Sequence, residues 1–293
     1  MNRRHLPALL LGALLLAACS PPPARRAGPP QRIVSLSPNL TETLFALGLG
    51  ERVVGVTAYC AYPPEAANLP RVGGQMDANP EAIAALRPDL VVLFDYQEKI
   101  GRQVAAIGTP TLIVPGKSLD DILALVERLG EACAVPDNAR RLRADMETRI
   151  QAVRRRVAER PRPGVLVSVD RPPGKPVGSL YLAGDDGYFD TLIDYAGGRN
   201  VCAGIGIAYP LIPAESIAEM NPDVIIDLCT GAVGQGHRPE TLAADWAVLR
   251  GVEAVKTGRV HVLTETYATV PGPRTVDFLE HLAALLHPAE AQP

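Results

Sequence analysis

What the chain has little of narrows its reading first. Aromatic residues make up only 4% of its 293 residues, and tryptophan occurs once. Neither sign of charge dominates: 29 lysines and arginines stand against 32 aspartates and glutamates, a net charge of −3. That balance gives no reason to expect nucleic acid or another polyanion as a partner. Catalytic phrases are missing as well. There is no G-x-S-x-G elbow, no P-loop, no H-E-x-x-H and no C-x-x-C, and His5, His237, His261, His281 and His287 are scattered. No motif-bearing enzyme class is indicated. An exported metal-dependent enzyme built from distant cysteines and histidines is the least favoured alternative. Long apolar runs are absent too, with one exception at the N-terminus.

That run reads as an export signal. Asn2-Arg3-Arg4 supplies a positive start, and Leu6 to Ala18 an apolar stretch short for a membrane span. It ends Leu16-Ala17-Ala18-Cys19, small residues before a cysteine, which resembles a bacterial lipobox. The implied chemistry is a diacylglyceryl thioether on Cys19, cleavage before it and acylation of the new amine; several acyl chains anchor stably where one is marginal. Residues 1–19 are therefore assigned to the signal ending in a lipidated cysteine. Residues 20–31, rich in proline, read as a disordered tether between membrane and fold.

The rest is organised around a helix-into-strand phrase stated twice, Pro80 to Leu93 and Ala214 to Asp227. Each copy has an early glutamate (Glu81, Glu215), an apolar helical face, then Pro-Asp, then an apolar β-rich run. Proline stops the helix, and the run that follows reads as a buried strand. A repeat this widely spaced indicates two similar lobes rather than an array. Strands are expected at Arg32 to Leu36, Val53 to Thr57, Thr111 to Val114, Val165 to Val169 and Val260 to Leu263. Helices are expected between them, including Glu240 to Leu249. From Asp137 to Arg160 a charged amphipathic run bounded by prolines reads as one continuous helix joining the lobes. The division is 32–135 for the first α/β lobe, 136–161 for the linking helix and 162–293 for the second lobe.

Four cysteines are left after lipidation. Cys133 reads as a small buried apolar residue. Cys60, Cys202 and Cys229 fall in loops after strands or turns, where a disulfide or a soft-metal contact is open to them. An unpaired Cys60 at a cleft is placed to touch the metal of a bound chelate. Tyr59, Tyr62, Tyr181, Tyr209 and Tyr267, with Phe94, also fall mostly in such loops. Stiff amphipathic rings suit a broad planar ligand held without charge.

Several ordered motifs together resemble one family: Arg32 to Gly48, Val54 to Ala66, the two Pro-Asp phrases, Gly-Gly-Arg-Asn at 197–200 and Pro-Gly-Pro-Arg at 271–274. It is the helical-backbone substrate-binding proteins of bacterial ABC importers for vitamin B12, haem and ferric siderophores, with the cobalamin binders nearest. The resemblance implies two Rossmann-like α/β lobes with mainly parallel sheets, joined by one long α-helix. It also implies a cleft that hands a small-molecule metal chelate to a permease dimer driven by ATPase subunits. On this basis Glu81 and Glu215 are expected to meet arginines of the two permease subunits. Tyr59, Phe94, Tyr181, Tyr209, Thr266 and Tyr267 are expected to surround the ligand. Gln75, Phe94, Tyr209 and Tyr267 stand where the cobalamin binders carry tryptophan, and Cys60 replaces a small polar residue. An uncharged aromatic cleft favours a corrinoid over an anionic catecholate siderophore; haem stays open because a tyrosine can ligate its iron. No cofactor, directly bound metal or catalytic residue is expected. The protein is expected to be exported and lipid-anchored, facing the periplasm or exterior.

Overall fold

The duplicated phrase folds alike in both halves and sets the architecture. The computed structural model describes residues 28–230 and 232–288. The signal, Cys19 and residues 20–27 of the tether lie outside the described residues. The first half runs β1 (Ile33–Ser35), α1 (Pro38–Ala46), β2 (Val53–Val56), α2 (Pro80–Ala85), β3 (Leu90–Phe94), α3 (Glu98–Ala106), β4 (Thr111–Val114) and α4 (Leu119–Ala132). Its four strands form a wholly parallel sheet in the order β2-β1-β3-β4. Every residue of β3 is buried, as in a parallel strand covered on both faces.

The helix α5 (Pro136–Val157) then crosses to the second half. There follow β5 (Gly164–Asp170), β6 (Leu180–Leu182), α6 (Tyr188–Tyr195), β7 (Arg199–Asn200), β8 (Leu211–Ile212), α7 (Ala214–Met220), β9 (Val224–Leu228), α8 (Pro239–Ala243), α9 (Glu253–Lys256), β10 (Val260–Leu263) and α10 (Thr275–Leu286). The sheet order is β10-β9-β5-β6-β8, with β7 pairing β5. β10, β9, β5 and β7 are parallel, β6 runs antiparallel to β5, and β8 pairs antiparallel with β6. At three and two residues, β6 and β8 are both too short to stand out in the sequence. The helix expected over Glu240 to Leu249 is broken: α8 stops at Ala243 and Ala244–Leu249 tightens to a 3-10 turn. This turn delivers Trp246 and Asp245 to one buried network. The Trp246 indole N–H donates to Asp227 at 2.9 Å, and Arg171 pairs with Asp227 and Asp245, each at 2.7 Å.

In the repeated phrase, Arg87 (φ 48°) and Asn221 (φ 42°) leave their helices in the left-handed conformation. Each stands directly before a proline, which disfavours right-handed helix at that position. The aspartate after the proline ties down the first strand of its own sheet. Asp89 accepts the Arg32 N–H at 2.8 Å, and Asp223 accepts the Gly164 N–H at 2.6 Å. The core is continuous across the lobes, running from Ile33 and Leu44 through Met146, Ile150 and Val153 of α5 to Val165 and Leu279. Arg149 of α5 pins α10 through Asp277 (2.5 Å) and Glu280 (2.7 Å). Among the described residues no helix is long and apolar enough to cross a membrane.

Candidate functional site

In open parallel sheets ligands gather beyond the carboxyl ends of the strands. A cavity of about 440 Å³ lies there, between the lobes. Asp95 and Tyr96 reach it from the end of β3, and Gly116 and Lys117 from the end of β4. The second lobe supplies Asp186, Gly187 and Tyr188 at the start of α6, Tyr209 ahead of β8, and Thr269 and Pro271 ahead of α10. Its size lies within the range of small-molecule sites, about 300–1,000 Å³.

Tyr96 is the best-placed ring. It stacks on the buried Phe94 with centroids 5.3 Å apart and planes 12° from parallel. Gly116 allows that pair to sit flat, because a Cβ there would stand 2.3 Å from the Phe94 ring. The Tyr96 hydroxyl accepts a hydrogen bond from the Gln75 amide at 2.7 Å. Gln75 also donates to Ser37 (3.2 Å), Ser37 donates to Asn39 (2.6 Å), and Asn39 donates to the Pro271 carbonyl (3.1 Å). A polar chain thus runs from one wall of the cleft to the loop forming the other. Gln97 fixes its origin, donating to the Gln75 carbonyl at 2.6 Å and accepting the Phe94 N–H at 2.8 Å.

Across the cleft, Tyr209 meets Phe189 edge-on at 6.5 Å, and Phe189 stacks on Tyr188 at 4.3 Å. Burial pushes the Tyr96 hydroxyl above its ordinary pKa despite the Gln75 and Ser37 hydrogen bonds. Burial raises Tyr209 too, helped by Tyr96. Burial raises Tyr188 further still, with a smaller contribution from Tyr209. All three rings are therefore neutral donors near neutral pH. Lys117, the one ammonium in the lining among the described residues, pairs with Asp186 at 2.7 Å across the two lobes.

The residues singled out from sequence scatter around this cavity. Tyr209 lines it, and Phe94 supports it from beneath Tyr96 without reaching the surface. Tyr59 and Tyr181 are exposed but outside the lining. Cys60 is fully buried, its thiol 3.2 Å from both Thr41 and Thr57 hydroxyls, which corrects the expectation that it faces the cleft. Cys133, Cys202 and Cys229 are likewise buried and free, so the disulfide left open from sequence is not formed.

Thr266 and Tyr267 belong to a neighbouring cluster. Arg274 pairs with Glu42 of α1 (2.8 Å), stacks on Tyr62 at 3.8 Å and reaches Thr266 at 3.4 Å. Tyr267 exchanges a hydrogen bond with His281 at 2.9 Å. This cluster borders a second cavity of about 740 Å³, lined also by Phe45, Glu51 and Glu65. Sequence reasoning missed Tyr96, Lys117, Asp186 and Tyr188. A signal existed for Tyr96: it follows the end of the buried strand β3, where α/β folds place ligand-facing loops.

Glu81 and Glu215 are exposed in the first turns of α2 and α7, and neither pairs with a described residue. Among the described residues no cluster of histidine, cysteine or carboxylate side chains is arranged to hold a metal ion.

Comparison with known proteins fits this geometry. A family model described as periplasmic binding protein matches residues 33–267. The chain belongs to the periplasmic binding protein family. The vitamin B12-binding protein of Vibrio cholerae serotype O1 is 29% identical over 268 residues, covering 90% of this chain and 92% of that one. The crystal structure of the periplasmic vitamin B12-binding protein BtuF of Vibrio cholerae superposes with a TM-score of 0.73 at 27% identity, covering 90% of this chain and 99% of that one. The periplasmic heme-binding protein RhuT from Roseiflexus sp. RS-1 superposes with a TM-score of 0.76 at 31% identity, covering 87% of this chain and 97% of that one. The two-lobed α/β fold is that of the family, whose members are substrate-binding components of ABC importers rather than enzymes.

Proposed function

We propose that this periplasmic binding protein captures a corrinoid, cobalamin first, between Tyr96 and Tyr209 and delivers it to a permease dimer. The observation that carries the reading is the cleft's charge. Among the described residues its one lysine is already paired with Asp186, and Asp95 adds a further carboxylate. Such a lining suits a ring bearing neutral amides and disfavours the carboxylates of haem or the anionic catecholates of a siderophore. Neutral tyrosine hydroxyls are the right donors for amide carbonyls.

Haem is the second reading, favoured by the three tyrosines of the lining and by the similarity to RhuT. The carboxylates of Asp95 and Asp186 in the lining oppose it, because haem carries two carboxylates of its own.

The same proposal includes the lipid anchor at Cys19 and docking through Glu81 and Glu215. Those glutamates sit at equivalent places in the repeated phrase, one per lobe, as a two-fold partner requires. Single exposed ion pairs contribute about 0–1 kcal/mol, so the two chiefly set orientation and encounter rate. Titrating delipidated protein with cyanocobalamin and with haemin while recording visible spectra tests the reading. Saturable one-to-one cobalamin binding is expected; haemin binding with a ferric phenolate band and no cobalamin binding would replace it.

A further inference from the structure

The Lys117–Asp186 pair raises a question of selectivity. Lys117 stands between β4 and α4, and its backbone is fixed because its N–H and that of Ser118 both bond to Asp121 (3.1 and 2.9 Å). Asp186 stands just ahead of α6, on the other lobe. Their contact at 2.7 Å therefore closes over the cleft from both sides, and both side chains are largely solvent-exposed, at 64% and 49%. A pair this exposed contributes little to folding. No other carboxylate of the lining takes its place: Asp95 is engaged by the Tyr96 N–H at 2.8 Å and forms no ion pair among the described residues. The adjacent Asp185 is tied to the Gly204 and Gly206 N–H groups at 2.6 and 2.7 Å, which hold its carboxyl below the usual range.

We propose that Asp186 sets the charge selectivity of the cleft. By engaging Lys117 it withholds the cation of the described lining that a carboxylate-bearing chelate would need, and its charge adds to that of Asp95 in repelling such a ligand. The class discriminated against is the dianionic tetrapyrrole, whose planar ring the tyrosine walls would otherwise accept. Rejection by an unfavourable charge is a normal route to specificity between ligands of like shape. The inference rests on the cleft being a tetrapyrrole site, as proposed above.

The test compares wild type with Asp186→Asn, Asp186→Lys and Lys117→Met, using protoporphyrin IX and its uncharged dimethyl ester as paired probes. The readout is the ratio of diacid to ester affinity, which cancels changes in ring stacking. Asp186→Asn should raise that ratio about two- to fivefold, the scale of one exposed charge pair. Asp186→Lys should raise it further, Lys117→Met should lower it, and the gains should shrink as salt is added. A ratio unmoved by Asp186→Lys, equal gains for diacid and ester, or no diacid binding by any of the four proteins overturns the proposal. Cyanocobalamin binding by wild type is measured separately, so loss of the corrinoid reading and loss of the charge filter give different results. Melting curves of the four proteins should coincide, since both positions are exposed.

Discussion

At the residue scale, the thiols and the buried ion pairs behave very differently from what their residue types suggest. Burial pushes the Cys133 and Cys202 thiols up to about 11 and Cys229 to about 12, and Cys60 is fully enclosed. Native protein should therefore show almost no reaction with a thiol reagent at mildly alkaline pH, while denatured protein reacts fully; rapid native labelling would contradict this burial. Arg171 is a different case, with Asp227 and Asp245 around a guanidinium side chain only 1% exposed. Arg171→Met leaves buried carboxylate uncompensated and should cost about 3–5 kcal/mol in denaturant unfolding. What was legible at this scale was the aromatic character of the cleft and Tyr209. Tyr96, Lys117 and Asp186 were not, because an exposed lysine and aspartate 69 positions apart look like ordinary surface until folding brings them within 2.7 Å.

At the scale of elements, the two Pro-Asp phrases were readable because one local rule, proline after a helix, acts on a clear apolar pattern. Their aspartates were not readable as strand clips, since the Asp89 and Asp223 partners lie 57 and 59 positions away. The strands β6 and β8 escaped because three and two residues are too few to carry a pattern. The two copies also differ in a testable way. Asn79 caps α2 by accepting the Glu81 and Ala82 N–H groups, whereas Pro213 gives α7 no side-chain cap. Asn79→Ala should cost about 1 kcal/mol, read as a lowered denaturation midpoint with an unchanged slope.

The contact between α5 and α10 predicts a pH effect. Hydrogen bonding from Arg149 holds the Glu280 carboxyl below its usual range. A depressed carboxyl stabilises the fold above its unfolded value of 4.5, and the effect fades as pH falls through the folded value. Because the Glu280 side chain is 40% exposed, Glu280→Gln should cost only about 0.5 kcal/mol near neutral pH. The difference from wild type should shrink steadily as pH falls below 4.5; a gap that widens in acid would contradict the assignment.

At the scale of the whole molecule, a core continuous through α5 and an interlobe bridge of Glu42 with Arg274 make the lobes a firm frame around the cleft. On the proposed reading the ligand would be gripped by side chains already in place, Tyr96 backed by Phe94 and Gln75, Tyr209 backed by Phe189. Charge reversal at Glu81 and Glu215 together should abolish uptake by whole cells without altering ligand affinity; intact uptake would remove the docking role. The most direct test of the central claim is calorimetric titration of cyanocobalamin into wild type, Tyr96→Ala and Tyr209→Ala. The account predicts saturable binding by wild type and roughly tenfold or greater weakening in each variant. Binding of equal strength in all three, or none in wild type, would contradict it.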